Sequence, residues 1–124
     1  MTLRSQIIGC GSFLPDKVVS NDELSRRVNT SDAWIRERSG IEARHIAAEG
    51  ELTSHLGIAA GRAALDDAGI EAGEVDLIVL ATSTPDETFP STASQIQAGL
   101  GATGAAAFDV QAVCTDYIYA LAVA

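Results

Sequence analysis

Cys114 is the residue of this sequence best set up for covalent chemistry. It follows the strand-like Ala107-Phe108-Asp109-Val110 and opens an apparent helix, where backbone N–H groups and the positive helix end would stabilise a thiolate. That is the setting of an activated nucleophile. The competing reading is a buried, inert cysteine, and local sequence alone favours it. Cys10, beside Ile7 and Ile8, reads as a small buried strand residue. The two cysteines form no CxxC pair, and His45 and His55 are the only other soft ligands, so neither a metal site nor a disulfide framework is indicated. Neither histidine has a catalytic partner placed by the sequence. Gly9-Cys10-Gly11 invites a dinucleotide-binding reading, but the third glycine is absent and the glycines do not lead directly into a helix, so that reading is rejected.

The elements that must position these residues alternate. Residues 4–13, RSQIIGCGSF, read as a strand followed by a turn at Leu14-Pro15-Asp16. Ser20 with Glu23 fits a capping box for a helix over Asn21 to Val28. Thr30, Ser31 and Asp32 start a second helix, closed by Gly40, that carries Trp34 and Arg38 on one face. Ile41 to Ile46 alternates like a short strand. Ser54 to Ala68 has small and apolar residues at helical spacing and stops at Gly69; its alanines suggest an interior helix. DLIVLA (76–81) reads as a central parallel strand, Ser91 to Leu100 as a helix, and Ala105 to Val110 as another buried strand leading to Cys114. Thr115 to Ala124 looks like a helix interior without a stop signal. This order predicts an α/β layered fold with right-handed crossovers.

Composition sets outer limits. The 124 residues are 47% hydrophobic and 20% charged, enough apolar material for one globular core. Seventeen acidic against eight basic residues give a net charge of −9, which opposes nonspecific binding to nucleic acid or an anionic membrane surface. Apolar runs such as Val75 to Ala81 fall far short of the ~20 residues that span a bilayer. The N-terminus, MTLRSQIIGCGS, has no secretory pattern, so a cytoplasmic location is expected.

Four separated blocks carry more information than any single residue: GSFLPDKVVSN, TSDAWIRERSGIEARHIA, TSTPDETFPSTASQIQAGLG and AFDVQAVCTDYIYALAVA. Together they resemble, in register over essentially all 124 residues, the N-terminal half of the β-ketoacyl-acyl-carrier-protein synthase III branch of the thiolase-like condensing enzymes. The resemblance implies one N-terminal thiolase-like half domain over 1–124, ending within the helix after Cys114. It implies fatty-acid initiation, in which an acyl group passes from coenzyme A to a cysteine and is then condensed with malonyl-acyl-carrier protein. Cys114 would be the acyl acceptor, a role that suits a thiolate as nucleophile and leaving group. Trp34 would stack on the coenzyme A adenine, Arg38 would meet its phosphates or a carrier-protein surface, and Thr30 would lie beside the nucleotide. An aromatic plane beside a guanidinium suits a purine and a phosphate. A packing anchor for Trp34 and a solvated partner of Glu37 or Glu42 for Arg38 are the structural alternatives. Phe89 would line an acyl pocket across a dimer interface, or else pack in the core. Arg26, Arg27, Arg36 and Arg44 with Arg38 would offer a basic patch to an acidic carrier protein, or else form a solvated charged face. No resident cofactor or metal is implied; the coenzyme A thioester is substrate. The expected partners are acyl carrier protein and a homodimer mate or complementary C-terminal half.

The likeness has limits. Family members carry a second, similarly folded half that supplies the catalytic His and Asn, so these 124 residues alone are expected to lack condensing activity. After Cys114 stand Thr115, Asp116 and Tyr117, where the family usually has a small residue, Gly and Phe. Asp116 brings a side chain and a negative charge close to the thiol while favouring the helix start, two opposed effects. Glu42 replaces a residue that is often basic and weakens the patch. A noncatalytic, self-associating half domain and a related thiolase-like acyltransferase are the alternative readings; the first would expose a large apolar docking face.

Overall fold

The run Leu77–Ala81, LIVLA, is apolar throughout with β-branched Ile78 and Val79 at its centre, and in the computed structural model, which describes residues 5–124, it forms strand β3. It pairs in parallel with β4 (Ala106–Val110), from Leu77 opposite Ala106 to Ala81 opposite Val110. Helix α4 (Thr92–Leu100) makes the crossover between them. The long helix α3 (Thr53–Ala68) precedes β3, and α5 (Asp116–Val123) follows β4 and lies against β3. These elements, with residues 5–13, make one compact unit; Leu14–Glu51 make a second.

In the larger unit, helix ends follow local chemistry. Ser91 caps α4 by accepting the Ser94 N–H at 3.2 Å, and Gly69 and Gly101 close α3 and α4 in the left-handed conformation. The first N–H groups of α4 are satisfied from the sheet: Asp109 Oδ2 accepts Thr92 N–H at 2.9 Å and Oδ1 accepts Ala93 N–H at 2.8 Å. Asp86 does the same for α3, accepting Ser54 N–H at 3.2 Å on each oxygen. The core is made of small residues, Ala93, Ala102, Ala105 and Ala120 around Ile96. It is thin because α3 and α4 approach closely: a Cβ on Gly99 would collide with Ile58, and one on Gly61 would stand 3.1 Å from Leu100 Cδ1.

Two expectations need correction here. Residues 5–13 form no strand; Arg4, at the start of that expected strand, lies outside the described residues. The segment is laid on α3 instead of in a ladder. Gly9 and Gly11 are glycines because Cβ atoms there would meet the backbone of Ala64, and Cys10, which is exposed rather than buried, donates its N–H to Asp67 at 2.9 Å. Nor is α3 an interior helix, since within it only Ser54 is fully buried. Its alanines allow close approach on one face and leave the other uncommitted.

The smaller unit pairs β1 (Lys17–Ser20) antiparallel with β2 (Ala43–Ile46), Lys17 opposite Ile46 and Ser20 opposite Ala43. Helix α1 (Asn21–Ser25) starts under the Ser20 hydroxyl, which accepts the Glu23 N–H at 3.1 Å; it ends three residues before the expected Val28, because Arg26 and Arg27 donate to Glu23 and Leu24 carbonyls in a tighter turn. Helix α2 (Asp32–Ser39) is capped by Ser31 and closed by Gly40 at φ 71°. Asn21, 1% exposed, ties these elements together: its amide donates to Asp32 Oδ1 at 2.9 Å and to the Ile41 carbonyl at 2.7 Å, and its Oδ1 accepts from Arg44 at 2.9 Å. A buried amide with its groups so engaged fixes one arrangement of its neighbours.

Candidate active site

Parallel strands leave their C-terminal ends for loops, and α/β sheets bind ligands at those ends. The chain leaves β4 at Val110, makes a single 3₁₀ turn over Val113–Thr115, and enters α5 at Asp116. Cys114 therefore sits in the turn before the helix rather than in the first helical turn, and it is exposed. Val113 before it has φ 54°, a left-handed conformation that is uncommon for a β-branched residue and carries a strain of about 1–3 kcal/mol.

Ala112 is the fixed point of this turn. Its carbonyl accepts the Thr115 N–H at 3.2 Å and the Thr115 hydroxyl at 2.8 Å, and its N–H donates to Asp116 Oδ1. The other carboxylate oxygen of Asp116 accepts the Ser83 hydroxyl at 3.4 Å, from the loop that follows β3. Asp116 is thus 6% exposed and turned into backbone and loop, a placement that its type and position did not reveal. Ser83 was legible only as part of a turn, and Val113 carried no signal. Phe89, between β3 and α4, is 88% exposed and takes no part in the core of this chain.

The smaller unit holds a second cluster. Asn29, Thr30, Ser31 and Trp34 line a depression of about 440 Å³. Trp34 is 55% exposed, so it is no packing anchor, and the Arg38 guanidinium carbon stands 4.7 Å from its ring centroid. Thr30 Oγ1 is buried without a hydrogen-bond partner. Arg38 also stands 3.7 Å from Glu37. The expected basic patch is partly neutralised from within: Arg36 is 2.9 Å from Asp32 and 2.5 Å from Glu42, and Arg27 is 3.6 Å from Glu23, while Arg44 is held by the neutral amide of Asn21 and keeps its charge. Hydrogen bonds from Asn21 and then Arg36 hold the Asp32 carboxyl below its ordinary value. Both histidines serve the backbone, His45 Nδ1 lying 2.5 Å from the Pro15 carbonyl oxygen and His55 Nδ1 accepting the Leu52 N–H at 3.1 Å. Among the described residues, no group of three or more His, Cys, Asp or Glu side chains is placed to hold a metal, and no helix is long and apolar enough to cross a membrane.

No family model matches the chain. Individual relatives do. It is 64% identical over all 124 residues to the β-ketoacyl-[acyl-carrier-protein] synthase III of Rhodospirillum centenum and 66% identical over 122 residues to that of Rhodospirillum rubrum. The chain groups with the β-ketoacyl-acyl-carrier-protein synthases III along the part of them it spans. That part is about 38% of the length of these curated relatives. The fold agrees. The synthase III of Aquifex aeolicus VF5 superposes with a TM-score of 0.88 at 47% identity, over 94% of this chain and 38% of the other. The priming β-ketosynthase of the R1128 polyketide pathway gives 0.89 at 37% identity, over 96% and 36%. The fold class is the α/β layering expected from the alternating elements, and of the thiolase-like kind that the resemblance implied. Thr115 and Asp116, the two residues directly after the cysteine, are the two whose side chains bond Ala112.

Proposed function

We propose that this chain is the cysteine-bearing part of a β-ketoacyl-acyl-carrier-protein synthase III that initiates fatty-acid synthesis. The reading is carried by Cys114, exposed in a tied turn at the C-terminal end of a parallel strand, in a chain 64% identical to a named synthase III. The Cys114 thiolate attacks the thioester carbonyl of an acyl-coenzyme A; a new acyl–sulfur bond forms and the coenzyme A thiolate leaves. In the second step malonyl-acyl-carrier protein loses carbon dioxide, the electron pair of the broken C–C bond attacks the acyl-cysteine, and Cys114 leaves as thiolate. Thr30, Trp34 and Arg38 supply a hydroxyl, an aromatic plane and a guanidinium, which suit the nucleotide end of coenzyme A. Phe89, extended into solvent, suits contact with an acyl pocket in a homodimer mate. The thioester is itself the electrophile, so the chemistry calls for no resident cofactor or metal.

The 124 residues alone are expected to be inactive in condensation, because the groups that assist decarboxylation come in this reading from a complementary C-terminal half. Intact-mass measurement of the chain with acetyl-coenzyme A and the complementary part of a synthase III supplied tests the reading. One acetyl adduct on Cys114, lost in Cys114→Ala, is the expected result; its absence overturns the proposal.

A noncatalytic, self-associating role is favoured by one observation. Tyr117, Ile118, Tyr119, Leu121 and Val123 of α5 are 53–63% exposed, and an apolar groove of about 300 Å³ runs between α5 and β3. Sedimentation giving a monomer at high concentration would count against it.

A further inference from the structure

We propose that Thr115 and Asp116 form a clamp that holds the strained turn before Cys114 and so fixes where its thiol points; both are positioning residues. The inference deepens the reading of Cys114 as acyl acceptor and rests on it for the choice of nucleophile. Ala112 is held at both ends, its carbonyl by the N–H and hydroxyl of Thr115 and its N–H by Asp116 Oδ1. Between these anchors stand Val113, at φ 54°, and Cys114 itself. A β-branched residue leaves that conformation unless its surroundings impose it. The second carboxylate oxygen of Asp116 bonds Ser83, which joins the turn after β4 to the loop after β3, so that the clamp is anchored to both strands rather than to the turn alone. Burial removes water as a competitor for these bonds at Asp116.

Asparagine keeps an oxygen for Ala112 N–H and places an amide beside the Ser83 hydroxyl, which can accept as well as donate. The clamp acts through hydrogen bonds, so Asp116→Asn retains it and Asp116→Ala breaks it. Cys10, exposed in the same chain, is the internal reference thiol.

The test is the rate of iodoacetamide alkylation at Cys114 relative to Cys10 in the folded chain, resolved by peptide mass, with folding checked by circular dichroism. Asp116→Ala is expected to lower the Cys114:Cys10 ratio about fivefold, the factor carried by the lost hydrogen bond to Ala112, and Asp116→Asn to keep it within about twofold of the parent. Thr115→Val, which removes only the hydroxyl, is expected to lower the ratio in the same direction and decides the matter if Asp116→Ala does not fold. An unchanged ratio in a folded Asp116→Ala or Thr115→Val overturns the proposal. An equal change in Asp116→Ala and Asp116→Asn overturns it too, whether loss or gain, since the hydrogen bonds that Asn retains would then not be the cause; loss of the carboxylate charge alone would raise the ratio. Alkylation needs no acyl donor, so failure of the clamp is distinguishable from failure of the acyl-transfer reading.

Discussion

The carboxylate of Asp109, inside β4, accepts the N–H of Thr92 at 2.9 Å, so that the sheet supplies the cap of α4. The adjoining Ala93 N–H is held by the other oxygen, and Thr92 and Ala93 are both fully buried. Asp109→Ala leaves two buried donors with no acceptor, each costing about 1–3 kcal/mol. Unfolding in urea should show a loss of about 2–6 kcal/mol, with Asp109→Asn losing less because one acceptor survives.

Asn21 supports the smaller unit in a comparable way. Asn21→Ala removes its bonds to Asp32, Ile41 and Arg44 at once and should cost about 2–4 kcal/mol by urea denaturation, in the range for a broken buried network. It also alters acid sensitivity. Asp32 has its pKa lowered on folding, first by Asn21 and then by Arg36, so its contribution is present above the ordinary carboxylate value of 3.8 and is lost as pH falls through the lowered one. Acid titration below pH 3.8 should therefore erode the stability of the parent more than that of Asn21→Ala.

Trp34 is the chain's single tryptophan and is half exposed, which makes it a reporter of its own depression. Coenzyme A is expected to quench its fluorescence, and pantetheine, which lacks the adenine, is not. Arg38→Ala should weaken coenzyme A binding about tenfold, the order expected for one charge-assisted hydrogen bond. Unchanged affinity in that variant would remove Arg38 from the proposed site.

Glycines in the larger unit should differ sharply in tolerance. Gly11→Ala drives a methyl into the backbone of Ala64 and Ala60, which cannot yield, whereas Gly61→Ala meets only the tip of Leu100 at 3.1 Å. Thermal unfolding should show Gly11→Ala strongly destabilised, by about 3 kcal/mol or more, and Gly61→Ala within about 1 kcal/mol of the parent.

Elements whose cause is local were legible in the sequence. Ser20 and Ser31 start helices under their own hydroxyls, Gly40 and Gly69 end them, and the apolar run LIVLA forms a strand, though a half-buried one in a two-stranded sheet rather than a central strand covered on both faces. What depends on a distant partner was not. Residues 5–13 have strand composition, but their glycines answer to α3, more than fifty positions away. The carboxylates of Asp86 and Asp109 look like ordinary acidic residues until their helix N-termini are in place. At the candidate site the spacing of Trp34 and Arg38 on one helical face was legible, and the guanidinium does lie over the ring. The wiring of Asp116 to Ala112 and Ser83 was hidden, because it joins two strand ends through a side chain that sequence places merely next to the cysteine.

Several carboxylates of this acidic chain are engaged in fixed hydrogen bonds. Asp86, Asp109 and Asp116 spend their charge on backbone N–H groups or a hydroxyl, Asp67 on the Cys10 amide, and Asp32 on Asn21 and Arg36. These bonds leave the formal −9 in place, but they make five of the seventeen acidic side chains fixed connectors between segments of the chain rather than freely moving surface charges.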